Sequence, residues 1–422
     1  MPVRYRIQYY CTPFESLTPE NFRNPPLNSI QLSERVGRVR PSPTLAVTAR
    51  AAELRAAGRD IIGLGAGEPD FDTPQHIKEA AIEAIRAGAT KYTAVDGTPE
   101  LKQAVIDKFK RDNGLEYKPE QILVSCGGKQ SFYNLAQALL DEGDEVIIPA
   151  PYWVSYPDMV LLADGKPVIV ETGQAQRFKI TPAQLDAALS DRTRLFVLNS
   201  PSNPTGMAYS REELLALGEV LRLHPRVLIA TDDMYEHIRW SDAPFENILS
   251  ACPDLYDRTI VLNGVSKAYA MTGWRIGYAG GPAPLIAAMK KIQSQSTSNP
   301  ASVSQAAATA ALNGDQGCVN EMVRAFRERH DYLVEALNGL PGVECLPGDG
   351  TFYAFPSFQG VIDRLGLDGD VALAEKLIEE ADIALVPGSA FGAPGFMRLS
   401  FATSLEVLQE AVARLAKFLE NQ

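Results

Sequence analysis

Apolar residues along the chain fall into two rhythms. From about residue 60 onward, short runs occur at Ile122–Val124, Val146–Ile148, Val168–Val170, Leu195–Leu198, Val227–Ala230 and Ile260–Leu262. Each is too short for a helix and β-branched enough for a buried strand. Between them lie helical patterns with explicit start signals. Thr73-Pro74 predicts an N-cap and a first-turn proline, with Ile77, Ile82 and Ile85 as a buried stripe and Gly88 as the stop. Thr98-Pro99 with Leu101, Val105 and Phe109 repeats the device, as does Thr181-Pro182 with Leu185 and Leu189. Strands alternating with helices require crossovers, which predicts an α/β fold with a mostly parallel sheet covered on both faces.

After about Pro300 the rhythm changes. A long helical stretch carrying Met322, Phe326, Tyr332, Leu333 and Leu337 precedes a few strands and a terminal helix, Leu405–Leu419. This predicts a smaller α+β domain, completed by residues 32–60 returning from the N-terminal side. The expected division is an irregular extension at 1–31, the first part of the small domain at 32–60, a large domain at 61–300 and the rest of the small domain at 301–422. The extension has prolines, Glu15 and Glu20 but no apolar h-region, so it does not read as a signal or transit peptide.

Composition narrows the chemistry by exclusion. A chain of 422 residues, 45% apolar, has material for two or three domains. Its 52 acidic against 40 basic side chains oppose a nucleic-acid partner, which needs phosphate neutralisation. No apolar run approaches the roughly 18 residues of a membrane helix. Five cysteines without a C-x-x-C pair form neither a disulfide framework nor a zinc knuckle and point to a reducing cytoplasm. Glu68 breaks the glycine fingerprint begun by Gly63, Gly65 and Gly67, and Gly127-Gly128-Lys129-Gln130 lacks the other residues of a P-loop. Ser389 has no nucleophile-elbow frame, and His76, His224, His237 and His330 have no metal-ligand spacing.

The informative stretch is Asn263-Gly-Val-Ser-Lys267-Ala-Tyr-Ala-Met-Thr-Gly-Trp-Arg275-Ile-Gly-Tyr278. Lys267 directly follows an apolar strand, where the chain leaves the sheet at a ligand crevice. Small residues around it allow close backbone approach, as a Schiff-base lysine needs, and Arg275 offers a guanidinium for a phosphate-bearing cofactor. Glycines in Ser125-Cys-Gly127-Gly128-Lys129, at a predicted helix start, fit either an anion cradle or an ordinary tight turn. Asp232, ending a strand in Thr231-Asp-Asp-Met-Tyr235, is compatible with a helix cap, a solvated turn or a site carboxylate. Arg398, among apolar strand residues in Phe396-Met-Arg398-Leu-Ser, calls for a carboxylate partner, in a structural ion pair or a ligand.

The Lys267 segment closely resembles the cofactor-lysine signature of class I aminotransferases that use pyridoxal 5′-phosphate, and the resemblance extends over nearly all of residues 32–420. It implies the type I fold of those enzymes: a large domain with a mostly parallel mixed sheet, a smaller α+β domain, and a homodimer with active sites at the subunit interface. It also implies roles. Lys267 is the catalytic lysine, Asp232 pairs with the pyridine nitrogen, and Asn203 and Tyr235 bond the phenolic oxygen. Gly127, Gly128, Lys129 and Arg275 surround the phosphate, Trp153 stacks on the ring, and Tyr92 reaches the partner's phosphate. Gly67 and Arg398 meet the substrate α-carboxylate, with Trp153 and Asn203 beside it. Arg40-Pro-Ser-Pro-Thr44 and Lys129 resemble the bacterial aspartate/prephenate subgroup, implying that Arg40, Thr44 and Lys129 read a second carboxylate. In that subgroup the position of Arg40 is often lysine, so charge is kept while geometry differs. The implied activity is ping-pong transfer of an amino group between aspartate or glutamate and a 2-oxo acid such as oxaloacetate, 2-oxoglutarate or prephenate. An aromatic or alanine aminotransferase, or a pyridoxal phosphate lyase, is the alternative on the same fold. A DNA-binding regulator is disfavoured by the short segment before Leu32.

Overall fold

All six predicted strands form, and a seventh joins them. In the computed structural model, which describes residues 30–421 except positions 31, 40 and 42, they build one sheet. Its strands are β1 (Ile122–Ser125), β2 (Glu145–Ala150), β3 (Lys166–Glu171), β4 (Thr193–Asn199), β5 (Leu228–Asp232), β6 (Thr259–Gly264) and β7 (Gly277–Gly280). The spatial order is β1-β7-β6-β5-β4-β2-β3, with β7 antiparallel to both neighbours and the remaining pairs parallel. Strand β7, Gly-Tyr-Ala-Gly, escaped the pattern because it has no β-branched residue. Its glycine is demanded by packing: a Cβ on Gly277 would lie 2.3 Å from the Gly128 nitrogen.

Helices cover both faces. One face packs Phe196, Ile229 and Val261 under helices Gln75–Arg86, Pro99–Asn113 and Arg211–Arg222. The other packs Val146, Val197 and Ile260 under Gly128–Leu139, Ser155–Leu162 and Ala283–Ser294. Thr98 and Thr181 cap their helices as expected, accepting from the N–H groups of Leu101 and Gln184. Thr73 does not cap. Its hydroxyl donates to the Ala270 carbonyl and accepts from Trp274 Nε1, leaving Pro74 at the cap. Ile77 and Ala81 form the buried stripe of that helix, whereas Ile82 and Ile85 are 36% and 56% exposed and lie off it.

The second core gathers Met322, Phe326, Leu333 and Leu337 of the long helix Gly317–Asn338 with the terminal helix Leu405–Glu420. Tyr332 packs at its margin. A three-stranded antiparallel sheet lies here, with Met397–Ser400 between Val386–Pro387 and Tyr353–Ala354. Part of the N-terminal segment packs against residues of this half of the chain. Ala51, Leu54 and Ile61 pack against Ile378 and Ala384, and Ile62–Gly63 pairs in parallel with Ile383–Ala384. The helix Ser302–Asn313, however, buries Ala307, Ala308, Ala311 and Leu312 in the core of the large sheet. We therefore propose a domain division after Asn313 rather than at residue 300, because burial of that apolar face ties the helix to the large domain.

Candidate active site

Strands β1, β2, β4, β5 and β6 all run their C-terminal ends toward one crevice, where connecting loops leave the sheet. Those ends deliver, respectively, Gly127–Lys129, Trp153, Asn199 and Asn203, Asp232 and Tyr235, and Ser266 and Lys267. The small domain closes the other side with Arg398 and Tyr353, and the N-terminal segment adds Thr44 and Leu45. Together with Gly67, Glu68 and Arg275 these residues, Gly127 excepted, line a cavity of about 410 Å³.

Lys267 is partly buried on the cavity wall, and its Nζ donates to the Gly67 carbonyl at 2.5 Å. Burial, followed by the nearby Arg398 guanidinium, lowers its pKa to about 8. Asp232 receives the Tyr156 hydroxyl at 2.5 Å on one oxygen and the Met234 N–H at 3.2 Å on the other. Burial raises the Asp232 pKa, while those two hydrogen bonds and Lys267 oppose the rise. Asn203 is held by its own N–H, which donates to Asn199 Oδ1, and its Oδ1 accepts from Arg398.

Arg398 is 2% exposed, yet its hydrogen-bond acceptors here are neutral: Asn203 Oδ1 at 3.0 Å and the Gly65 carbonyl at 2.8 Å. Among the described residues its Nε has no hydrogen-bond partner, and its guanidinium sits over the Tyr353 ring at 4.4 Å. A buried cation answered, among the described residues, by neutral dipoles and the faces of Tyr353 and Phe391 could receive an anion from outside.

The Gly127–Lys129 turn has the build of a site that could hold an anion. Gly127, at φ +88°, precedes the helix Gly128–Leu139, whose N-terminus has no side-chain cap. Its first N–H groups and positive dipole end therefore face the cavity. A Cβ on Gly127 would collide with the Arg275 guanidinium, and one on Gly128 would meet the Met234 methyl at 2.5 Å. Lys129, on the exposed rim, holds its ammonium 5.3 Å from the Trp153 ring centroid. Desolvation and then Arg275 lower its pKa. This set suits a flat heterocycle bearing a phosphate, with a ring aromatic, a carboxylate and a lysine between two cationic ends.

A sequence model of the family "Aminotransferase class I and II" matches residues 59–415. The chain belongs to that family. It is 64% identical over 396 residues to an aspartate/prephenate aminotransferase from Nitrosomonas europaea, covering 92% of this chain and all of that protein. It is 51% identical to the aspartate aminotransferase of Geobacillus stearothermophilus, over 93% of this chain and 99% of that one. Among solved structures, the aspartate aminotransferase of Rhizobium meliloti superposes with a TM-score of 0.89 at 48% identity, covering 93% and 99% of the two chains. The Thermus thermophilus aspartate aminotransferase with maleate does so with 0.87 at 43%, covering 93% and 100%.

In this aminotransferase most of the residues singled out from sequence do converge. Gly67, Gly128, Lys129, Trp153, Asn203, Asp232, Tyr235, Lys267, Arg275, Arg398 and Thr44 line one cavity, and Gly127 lies behind Arg275. Tyr92 does not reach it. It is 92% exposed and lines a separate groove with Ala89, Ser302, Ala306 and Thr309. Arg40 lies outside the described residues. Sequence patterns missed Tyr156 and Tyr353, whose hydroxyls meet Asp232 and Tyr235, because nothing local marks either tyrosine. They also missed that Asp112, Glu236 and His237 come together; the Lys108 ammonium, buried against Glu236, supplies the cation in that cluster.

Proposed function

We propose that the chain is a pyridoxal 5′-phosphate-dependent aminotransferase acting between aspartate or glutamate and 2-oxo acids, including oxaloacetate, 2-oxoglutarate and prephenate. The observation that carries this reading is the buried Arg398, answered by neutral groups and facing Lys267 and Asp232 across one cavity. The names of the relatives support the substrate class. So does maleate in the Thermus structure, since it is itself a dicarboxylate.

When bound, pyridoxal phosphate supplies an electrophilic carbonyl and a heterocycle that takes up electron density as the substrate Cα loses its proton. The chain's own residues supply the rest. The Gly127–Lys129 turn and Arg275 would hold the phosphate, and Trp153 would stack on the ring. Asp232, whose ionised form is favoured by the Tyr156 hydroxyl and the Met234 N–H against the effect of burial, would hold a proton on the ring nitrogen. Asn203 and Tyr235 would bond the phenolic oxygen. Arg398, with Gly67, would grip the α-carboxylate bidentately. Lys267 would take the Cα proton and return it to the carbon on the far side of the amine nitrogen. With a pKa of about 8, roughly a tenth of its amines are neutral at pH 7, against fewer than about one in a thousand for free lysine.

Thr44 and Lys129, with Arg40, would read the distal carboxylate. The buried Thr44 hydroxyl has no partner among the described residues, and Thr44 lines the cavity, which supports a ligand contact there. Exposed Tyr92 in its surface groove supports a homodimer in which it reaches the second site. The four described cysteines are free thiols, which supports a reducing cytoplasm.

The test is a transamination panel on the cofactor-loaded protein, pairing aspartate or glutamate with oxaloacetate, 2-oxoglutarate, prephenate and phenylpyruvate. Dicarboxylic partners should be favoured by about tenfold or more in kcat/KM. Lys267→Ala should bind pyridoxal phosphate yet lose at least about 10⁴-fold in turnover. Normal turnover in that variant sinks the mechanism, and indifference to the second carboxylate removes the pocket assignment.

A further inference from the structure

Tyr353 lies on the two-residue strand Tyr353–Ala354 of the small domain, antiparallel to the strand that carries Arg398. It is 1% exposed and touches two groups proposed to serve different ligands. Its ring lies 4.4 Å from the Arg398 guanidinium carbon. Its hydroxyl lies 3.2 Å from the hydroxyl of Tyr235, which follows β5 in the large domain.

The ring face is all that Arg398 needs, and phenylalanine offers the same face. The hydroxyl therefore requires its own explanation, since a buried hydroxyl is unfavourable unless bonded. Two facing phenols share one hydrogen bond and leave one proton over. If Tyr235 donates to Tyr353, its proton is used inside the protein wall. If Tyr353 donates, the Tyr235 proton is free to point into the cavity. The bound cofactor favours the second arrangement. An ionised phenolic oxygen can only accept, so a Tyr235 hydroxyl that bonds it must give it its single proton, which leaves Tyr353 as the donor across the 3.2 Å contact. Burial raises both phenols and Arg398 lowers both, so neither is a bare phenolate competing for that proton.

We propose that Tyr353 is a positioning residue that donates its hydroxyl proton to Tyr235 and thereby turns the Tyr235 hydroxyl toward the phenolic oxygen of the bound cofactor. This role rests on the pyridoxal phosphate reading of the cavity. It also joins the two domains: the ring that carries the carboxylate-binding cation bears the hydroxyl that orients the cofactor-binding one.

The experiment compares wild type, Tyr353→Phe, Tyr353→Leu, Tyr235→Phe and the Tyr235→Phe/Tyr353→Phe double variant, each loaded with pyridoxal phosphate. It reads the pH midpoint of the cofactor's visible absorbance together with kcat and KM for aspartate. Tyr353→Phe should lower kcat about threefold to tenfold, leave KM within about twofold, and move the midpoint upward, because a weakened Tyr235 donor stabilises the deprotonated chromophore less. In the Tyr235→Phe background the same substitution should change neither quantity. Tyr353→Leu, which removes the ring as well, should also raise KM by about tenfold.

A wild-type midpoint and kcat in Tyr353→Phe overturn the proposal, even if thermal stability falls, since that outcome marks a merely structural hydroxyl. An undiminished effect in the Tyr235→Phe background overturns it too. Failure of the wild-type protein to develop the visible band would instead remove the cofactor reading, and this role with it.

Discussion

Asp232 ends strand β5 and Glu236 follows it four residues later, and their surroundings give them opposite characters. Glu236 is compensated within the protein. Its oxygens meet the buried Lys108 ammonium, Asn113 Nδ2 at 2.7 Å and Asn263 Nδ2 at 2.7 Å. Burial alone would raise its pKa, but Lys108, His237 and Asn113 together hold it down to about 2. Asp232 has a tyrosine hydroxyl and a backbone N–H, and burial prevails, raising its pKa. Between them Asp233, bonded by Thr231 and Asn247, is raised to about 7 by burial and the adjacent Glu236. The cations divide the same way: Lys108 has its carboxylate, whereas Arg398 has neutral acceptors. A buried charge that finds its counter-charge inside the protein is architecture; one that does not is waiting for a ligand.

The largest effect should come from exchanging these characters. Glu236→Gln leaves Lys108 buried without its carboxylate and should cost about 3–5 kcal/mol in urea unfolding of the apoprotein, with much of it recovered in a Lys108→Met/Glu236→Gln double variant. Asp232→Asn should change apoprotein stability by less than about 1 kcal/mol, yet lower turnover by at least about a hundredfold. Equal stability losses at both positions would erase the distinction. The pH dependence carries the same contrast. Glu236 has a folded pKa of about 2 against an ordinary 4.5, so it contributes stability above 4.5 that is lost as pH falls toward 2. Glu236→Gln should lack that component of acid weakening.

A smaller effect tests the hydrogen bond that favours the ionised form of Asp232. Tyr156→Phe removes a hydrogen bond that favours the carboxylate, so the Asp232 pKa should rise further. The acid limb of kcat should move to higher pH, with kcat at neutral pH reduced about threefold to tenfold. An unmoved acid limb would place the ring-nitrogen proton under other control. Smallest is the rim. Lys129→Gln should raise KM for aspartate about twofold to fivefold and leave that for phenylalanine unchanged, because an exposed ammonium contributes modestly. An equal change for both substrates would take Lys129 out of distal-carboxylate recognition.

The part of the cavity around Lys267, Arg275 and the Gly127–Lys129 turn is legible in the amino-acid sequence, because its signals are local. Lys267 and Arg275 lie eight positions apart in one segment, and Gly127-Gly128 announces an uncapped helix start. Tyr156 and Tyr353 are not legible there. Their partners lie 76 and 118 positions away, and only the order of strands and the closure of the small domain bring the hydroxyls together. Ile82 and Ile85 mislead for a related reason: helical spacing shows that apolar residues share a face, not whether another element covers it.

By itself, then, the sequence determined the alternation of strands and helices, most caps, and the residue types that gather at the sheet's C-terminal edge. These depend on propensities and contacts within a few residues, which the chain carries wherever it goes. The tertiary structure alone decided which of its buried charges are answered. Lys108 reaches Glu236 across a helix–sheet interface while Arg398 meets neutral groups, and that difference is made by distance and desolvation between segments far apart in the chain.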